Sequence, residues 1–402
     1  MNILFISQYF YPENFRGNDI AFDLAKKHKV HVICGVPNYP QGKFYKGYGL
    51  FHKNREIING VNITRIPIIA RGNNSIQLLL NYFSFMINAW IYVLFHAINH
   101  KYDCVFVQQL SPVMMSMPGI LYKRLRNVPL YTWVLDLWPE SLQAAGGISN
   151  KYILKFFSLF VKKEYKYSDK ILVSSKSFIK SIEEYGNYND KVVYFPQWAE
   201  DSISNTENKE PMIIPALPDG FKVMFAGNVG EAQDFTNIIK AAVLTSNHKD
   251  IKWIIVGDGR KFEWVKEQVI SNKLEDTVIL LGRYPIETMN VFFKQADVML
   301  VSLKNEPIFA LTAPAKIQAY MSAKKAIVSM LEGEGANLIK EADCGYCVPA
   351  ENAKELADLI IKLSHTDKSD IINKGNNGYV YYQNNFDKRI CISKLNTIIE
   401  CQ

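Results

Sequence analysis

Phe221-Lys-Val-Met-Phe-Ala-Gly-Asn-Val-Gly-Glu-Ala-Gln233 decides the fold of this 402-residue chain. A buried-strand run, Lys222 to Ala226, enters a turn with two glycines, and a helical pattern follows from Phe235 to Thr245. A strand that feeds a glycine turn and a helix N-terminus is a ready anion site, because unpaired N–H groups and the helix dipole both favour negative charge. A second start of this kind stands at the N-terminus. Asn2 to Ser7 reads as a strand, a loop carries Arg16-Gly17-Asn18, and a helix begins near Asp19. Two such starts imply two α/β domains that face a shared cleft.

The rest of the chain agrees. Apolar strand runs alternate with helical patterns through the first half: Ile3–Ser7, Val30–Cys34, Ile57–Ile66, Cys104–Gln108, Leu130–Leu135 and Lys170–Ser174 are the strands. Near-continuous apolar strands of this type belong to parallel sheets covered on both faces. The pattern fails over 203–219, rich in Ser, Asn, Thr, Glu and Pro, which reads as a linker. It then restarts with strands at Lys222, Lys252, Val278, Val298 and Ala326. The expected domains are 1–200, a linker over 201–220, a second domain over 221–375, and a helical segment over 376–402.

Charge divides unevenly. Residues 1–200 hold 23 Lys/Arg against 13 Asp/Glu, whereas residues 201–402 hold 23 against 26. A basic first half suits an anionic membrane surface or a phosphorylated substrate. No zinc-finger, basic-heptad or RNP-like pattern accompanies it, so nucleic acid is not expected as a partner. Ile76 to Ile98 runs 23 residues without a charge, long enough to cross a bilayer. Gln77, Asn81, Ser84 and Asn88 nevertheless fall on one helical stripe, which a lone span would bury in lipid at a cost. The segment reads as a core helix with one face free for membrane contact. Cys344-Gly-Tyr-Cys347 is a lone pair with no second pair or His, so no zinc or redox centre is expected. The six cysteines and the absence of a leader pattern at Met1 fit a reducing cytoplasm.

Five stretches follow in order through the second half: Gly227-Asn-Val-Gly230, Trp253-Ile-Ile-Val-Gly-Asp-Gly259, Leu281-Gly-Arg-Tyr-Pro285, Gln295-Ala-Asp-Val-Met-Leu300 and Pro314-Ala-Lys-Ile-Gln-Ala-Tyr-Met321. Their series resembles the donor domain of glycosyltransferase family 4, retaining enzymes of the GT-B fold that use nucleotide-sugar donors. Met1–Ser7, Pro12-Glu13 with Arg16-Gly17, and His31-Val-Ile-Cys34 resemble the start of that family's acceptor domain. Asp136-Leu-Trp-Pro-Glu-Ser141 resembles a motif of its surface-polysaccharide members, and Phe309 to Gln318 resembles the O-antigen and capsule N-acetylfucosaminyltransferases. The resemblance implies two Rossmann-like domains with a C-terminal helix that crosses back to the first. It also implies transfer of an N-acetylated deoxyhexose from a UDP-sugar to a polyprenyl-diphosphate-linked acceptor, on the inner face of the cytoplasmic membrane. The alternatives are a GT-B UDP-sugar 2-epimerase and a non-catalytic nucleotide-sugar-binding protein.

Site residues follow from the motifs and their setting. Gly227, Asn228 and Gly230, with the helix start near Gln233, would offer N–H groups to a diphosphate. Lys316 would supply the cation on the β-phosphate, with Arg260 second. Gly17 would let the first-domain loop approach the phosphates. Arg283 and Tyr284 would meet the base. Asp136, at the end of an apolar strand where α/β sheets place ligands, would act as base or orient the acceptor, with Glu140 as its understudy. The bland reading of Asp136 is a helix N-cap. The family's paired glutamates fall here on Leu311 and Ala319, which leaves Glu306 as the nearest carboxylate. No Asp-x-Asp occurs, so the expected cofactor list is empty, with no metal.

Overall fold

The computed structural model describes residues 1–72, 74–142, 150–200 and 214–401, so most of the expected linker, 201–213, lies outside the described residues. The chain divides into two compact units. The first is Met1–Pro196 with Ile392–Gln402, and the second is Gln197–Cys391.

The first unit holds eight strands: β1 (Asn2–Ile6), β2 (Lys29–Gly35), β3 (Arg55–Ile58), β4 (Val61–Ile66), β5 (Cys104–Gln109), β6 (Leu130–Val134), β7 (Lys170–Val173) and β8 (Val192–Tyr194). Their order is β3-β4-β2-β1-β5-β6-β7-β8. All neighbours pair parallel except β3 with β4. The single strand expected over Ile57–Ile66 is instead a hairpin. Asn59 (φ 49°) and Gly60 (φ 81°) both adopt positive φ, as a two-residue turn matched to strand twist requires. Apolar residues on both sides of Asn59-Gly60 hid that break.

The Ser75–Asn99 helix explains its own mixed composition. Phe85, Ala89 and Val93 are fully buried in the core with Leu4, Ile6, Ile33, Val105 and Val107. The polar stripe binds the chain that leaves β4. Asn81 Nδ2 donates to Ile69 O (2.6 Å), Ser84 Oγ accepts from Ile69 N (2.9 Å), and Asn88 Nδ2 donates to Pro67 O (2.8 Å). The remaining face, with Ile76, Ile87, Ile91, Phe95 and Ile98, is exposed. The Lys388–Glu400 helix ends the chain. Its residues from Ile392 belong to the first unit, and Lys394 Nζ donates to Tyr194 O at 2.6 Å.

The second unit has six parallel strands: β9 (Phe221–Ala226), β10 (Ile251–Val256), β11 (Val278–Gly282), β12 (Val298–Ser302), β13 (Ala326–Met330) and β14 (Gly345–Val348). Their order, β11-β10-β9-β12-β13-β14, reverses direction between β9 and β12. In chain order within the unit this is 3-2-1-4-5-6, the doubly wound arrangement that places ligands beyond the carboxyl ends of the strands at the switch point. In the first unit the corresponding switch point lies between β1 and β5.

Candidate active site

At the second unit's switch point, β9 runs into Gly227 (φ 134°) and β10 into Gly257 (φ 145°). These φ values strain any side-chain-bearing residue. A Cβ on Gly257 would stand 1.8 Å from Gly227 O, and one on Gly227 would stand 2.7 Å from Lys316 Cε. The two glycine turns therefore pack backbone on backbone, with Lys316 drawn across the first.

The N–H groups of the Gly227 turn are mostly spent. Gly227 N donates to Val256 O (2.9 Å), Val229 N to Asp258 O (2.9 Å), and Gly230 N to Gln233 Oε1 (3.2 Å). Asn228 keeps its N–H without a partner among the described residues, and its side chain is exposed. The helix start near Gln233 is not an open anion site either. The Phe235–Leu244 helix begins at Asp234 (φ 48°), whose buried carboxylate accepts from Asn237. A carboxylate already complements that helix end.

The open helix end belongs to Ala315–Ser322. Pro314 is its N-cap, no side chain caps it, and among the described residues no acceptor takes the N–H of Ala315 or Lys316. Lys316 is the second residue of this helix. Its ammonium stands 3.6 Å from the centroid of the Phe225 ring, and no carboxylate pairs with it among the described residues. Burial alone pushes its pKa down to about 7. Tyr320, one turn later and fully buried, fixes this geometry. Its hydroxyl accepts from Ala226 N and donates to Ala226 O, both at 3.1 Å, and so ties the helix to the end of β9. An uncapped helix start, an unpaired and half-buried cation and glycine backbone form a site that asks for an anion.

The other expected donor-site groups sit apart in kind. Arg260, Arg283 and Glu306 are exposed, and Tyr284 is half-buried with its ring edge on Phe292 at 4.9 Å. Among the described residues no hydrogen bond or ion pair joins any of them to Lys316. Leu311 caps the short Pro307–Ala310 helix, and Ala319 follows Lys316 by three residues on the same helix.

In the first unit Asp136 lies just past β6. Its two carboxylate oxygens accept from Ser111 Oγ and Ser141 Oγ. Trp138 Nε1 donates to Ser111 Oγ at 3.0 Å, and Gln109 Nε2 donates to Asp136 O at 3.1 Å. No backbone N–H among the described residues reaches the carboxylate, so the N-cap reading is not what the structure shows. Burial raises the Asp136 pKa, and the two serine bonds oppose that rise. Glu140 is half-buried and also raised, by burial first and then by the charges of Glu184 and Asp136.

Gly17 has a local reason within its own unit. A Cβ there would stand 1.9 Å from Gln108 Oε1, so the space is filled by a buried side chain at the end of β5. That gives Gly17 a packing role within its own unit.

Arg71 and the tyrosines around it escaped the sequence reading, and Glu13 was read there only as part of a motif. Arg71, after β4, donates to Tyr9 Oη (3.2 Å), lies 5.3 Å over the Tyr39 ring and bonds the Tyr82 hydroxyl. It has no carboxylate partner among the described residues. Tyr82 meets Trp138 edge-on at 6.2 Å, which connects Arg71 to the Asp136 network. Glu13 is buried, and its Oε1 accepts from Asn38 N (2.7 Å) and Tyr39 N (2.6 Å). Burial pushes its pKa up to about 7. Among the described residues no cluster of three or more His, Cys, Asp or Glu is placed to hold a metal ion.

Two doubly wound sheets, each with polar groups gathered past its strand ends, now stand beside known proteins. A structure of Anabaena Alr3699/HepE in complex with UDP and glucose superposes over 100% of this chain and 99% of its own, with TM-score 0.70 and 14% identity. The fold is GT-B. Sucrose-phosphate synthase from Thermosynechococcus elongatus gives TM-score 0.73 over 99% of this GT-B chain and 98% of its own, again at 14% identity. Residues 208–378 match the family model described as Glycosyl transferases group 1. A protein assigned to colanic acid biosynthesis in Escherichia coli (strain K12), the glycosyl transferase WcaI, is 24% identical over 276 residues, 64% of this chain and 66% of that one. These matches support a glycosyltransferase of the GT-B class.

Proposed function

We propose that this chain is a retaining, metal-independent hexosyltransferase that moves an N-acetylated deoxyhexose, of the N-acetylfucosamine kind, from a UDP-sugar. The acceptor is a polyprenyl-diphosphate-linked sugar at the inner face of the cytoplasmic membrane, in the synthesis of a surface polysaccharide such as O-antigen or capsule. The observation that carries the reading is Lys316, an ammonium held with no carboxylate at the uncapped start of a helix on the switch point. UDP in the HepE structure and the colanic acid assignment of WcaI support the choice of donor and pathway.

In this reading the diphosphate meets the N–H groups of Ala315, Lys316 and Asn228 together with the Lys316 ammonium. As the anomeric C–O bond breaks, its electron pair passes to the departing UDP, and Lys316 meets the growing charge. The acceptor oxygen bonds to the anomeric carbon on the face that the diphosphate leaves, and its proton passes to Asp136. Ser111 and Ser141 hold that carboxylate in place, and Arg71 is available to an anionic group of the acceptor. Arg283 and Tyr284 are assigned to the base, while Arg260, Glu306 and Glu140 are reserve contacts to donor and acceptor.

The test is mass spectrometry of a polyprenyl-diphosphate N-acetylhexosamine acceptor after incubation with UDP-sugars and the full chain in EDTA. One added N-acetyl-deoxyhexosyl mass supports the reading. A donor converted to an isomer of equal mass, seen by chromatography or NMR, with unchanged acceptor points to an epimerase, and an unchanged pair that still binds points to a binding protein.

A further inference from the structure

The first unit has a concave surface at the β3–β4 edge of its sheet. It lies between the Ser75–Asn99 helix and the β3–β4 hairpin. Two adjoining hollows, of 740 and 660 Å³, share Arg55, Tyr92, His96, Asn99 and His100 in their walls.

The first hollow is cationic at its rim. Lys29, Arg55 and Lys101 line it, all exposed, and among the described residues the side chain of none has an ion pair or hydrogen bond. The one lining carboxylate, Glu56, is taken by Arg65. The floor is neutral. His31 and His96 both bond the Tyr102 hydroxyl, and burial, then neighbouring histidines and Arg55, push both rings down to about 4.

The second hollow is apolar, walled by Ile66, Pro67, Ile91 and Phe95. It continues onto the helix's exposed stripe of Ile76, Leu80, Ile87, Ile91, Phe95 and Ile98, of which Phe95 is 65% and Ile98 67% exposed. From Ile76 to Ile98 that stripe is about 33 Å long at helical rise. This helix is long and apolar enough to cross a membrane. To cross, it would have to strip Phe85, Ala89 and Val93 from the core and break the bonds of Asn81 and Asn88 to the 67–69 backbone. Lying in the interface costs neither.

We propose that this groove seats the phosphate headgroup of an acidic membrane lipid. Arg55, Lys29 and Lys101 take the phosphate, Ile66, Ile91 and Phe95 take the adjoining acyl chain, and the exposed stripe lies in the bilayer interface. Unpaired positive charge meets the anionic head, and continuous apolar surface meets the chain. The inference deepens the membrane-face part of the proposed function and rests on that reading for its setting. It depends on no step of the transfer.

The experiment is co-sedimentation of the full chain with vesicles of phosphatidylcholine alone and of phosphatidylcholine with phosphatidylglycerol. Binding is expected only with phosphatidylglycerol. Arg55→Ala with Lys101→Ala should weaken it about thirtyfold, from two lost contacts near an anionic surface. Lys340→Ala with Lys362→Ala, the same charge loss on the second unit, should leave it unchanged. Phe95→Ser with Ile98→Ser should also weaken it, with melting curves to confirm that each variant folds. No vesicle binding, equal binding by the groove variant, or equal loss in the control pair would overturn the assignment. So would glycerol phosphate that stabilises wild type but not the groove variant while vesicle binding stays unchanged. UDP titration separates the two proposals. Groove variants should bind UDP as wild type does, and wild type that binds vesicles but not UDP would end the transferase reading alone.

Discussion

Replacing Lys316 by Met should separate stability from function in opposite directions. The ammonium lies in a desolvated position, 3.6 Å from the centroid of the Phe225 ring, with a pKa near 7. Because the folded pKa lies below the ordinary lysine value, the folded protein binds fewer protons than the unfolded chain between about pH 7 and 10.5. Stability therefore rises with pH through that window, and the full cost of the buried charge stands below it. Methionine keeps length and apolar contact. It replaces a cation–π contact of about 0.5–2 kcal/mol by a sulfur–aromatic one of about 0.3–1.5 kcal/mol. At pH 7 the variant should melt at or above wild type, by about 2–4 °C for each kcal/mol of relief. UDP binding should move the other way. Losing charge-assisted hydrogen bonds worth about 1.5–3 kcal/mol weakens it about 10- to 150-fold.

The same lysine predicts a pH signature for wild type. Above pH 7 the neutral Lys316 amine of the UDP-free protein must regain a proton to meet the diphosphate, so UDP affinity should fall up to about tenfold per pH unit between 7 and 9. A phosphate's last ionisation lies near about pH 6, below that range. Calorimetric titration of UDP in EDTA at pH 7, 8 and 9 measures both effects. Unchanged affinity in Lys316→Met, or a pH slope that survives in it, would refute the assignment. So would a variant that melts well below wild type.

Gly227→Ala forces a side chain into φ 134° and displaces Lys316, so it should cost about 1–3 kcal/mol in denaturant melts and weaken UDP binding by calorimetry. Asp136→Asn should lower turnover by about 10²–10⁴ while UDP affinity stays unchanged. Ser111→Ala removes a bond that holds the Asp136 pKa down, so the acid limb of the rate profile should shift to higher pH. Glu13 is raised to about 7, so the folded state binds more protons than the unfolded chain from about pH 4.5 to 7, and that contribution to stability is lost as pH rises. Glu13→Gln should flatten the decline in melts across that window. EDTA should leave turnover unchanged.

Most of the second unit was legible because each strand is a near-continuous apolar run closed by Gly or a charge. Its 3-2-1-4-5-6 order was not, since strand neighbours depend on crossovers rather than local pattern. Lys316 was legible through its motif, but its desolvation was not, because Phe225 and Gly227 reach it from 90 residues away. Asp234 carries an ordinary N-cap signal, which the neighbouring glycine turn overshadowed. Arg71, Tyr9, Tyr39 and Tyr82 converge only after the sheet forms, so no spacing announces them. The short strands β8 and β14 are half-exposed and too brief for periodicity to mark.

The most direct measurement is UDP release by the purified chain without added metal. A panel of UDP-sugars is run with and without a polyprenyl-diphosphate N-acetylhexosamine acceptor. The account predicts release that needs both the acceptor and one donor of the N-acetyl-deoxyhexose kind, and that collapses in Lys316→Met. Release from donor alone at the same rate, or no release across a panel that includes such a donor, would contradict it.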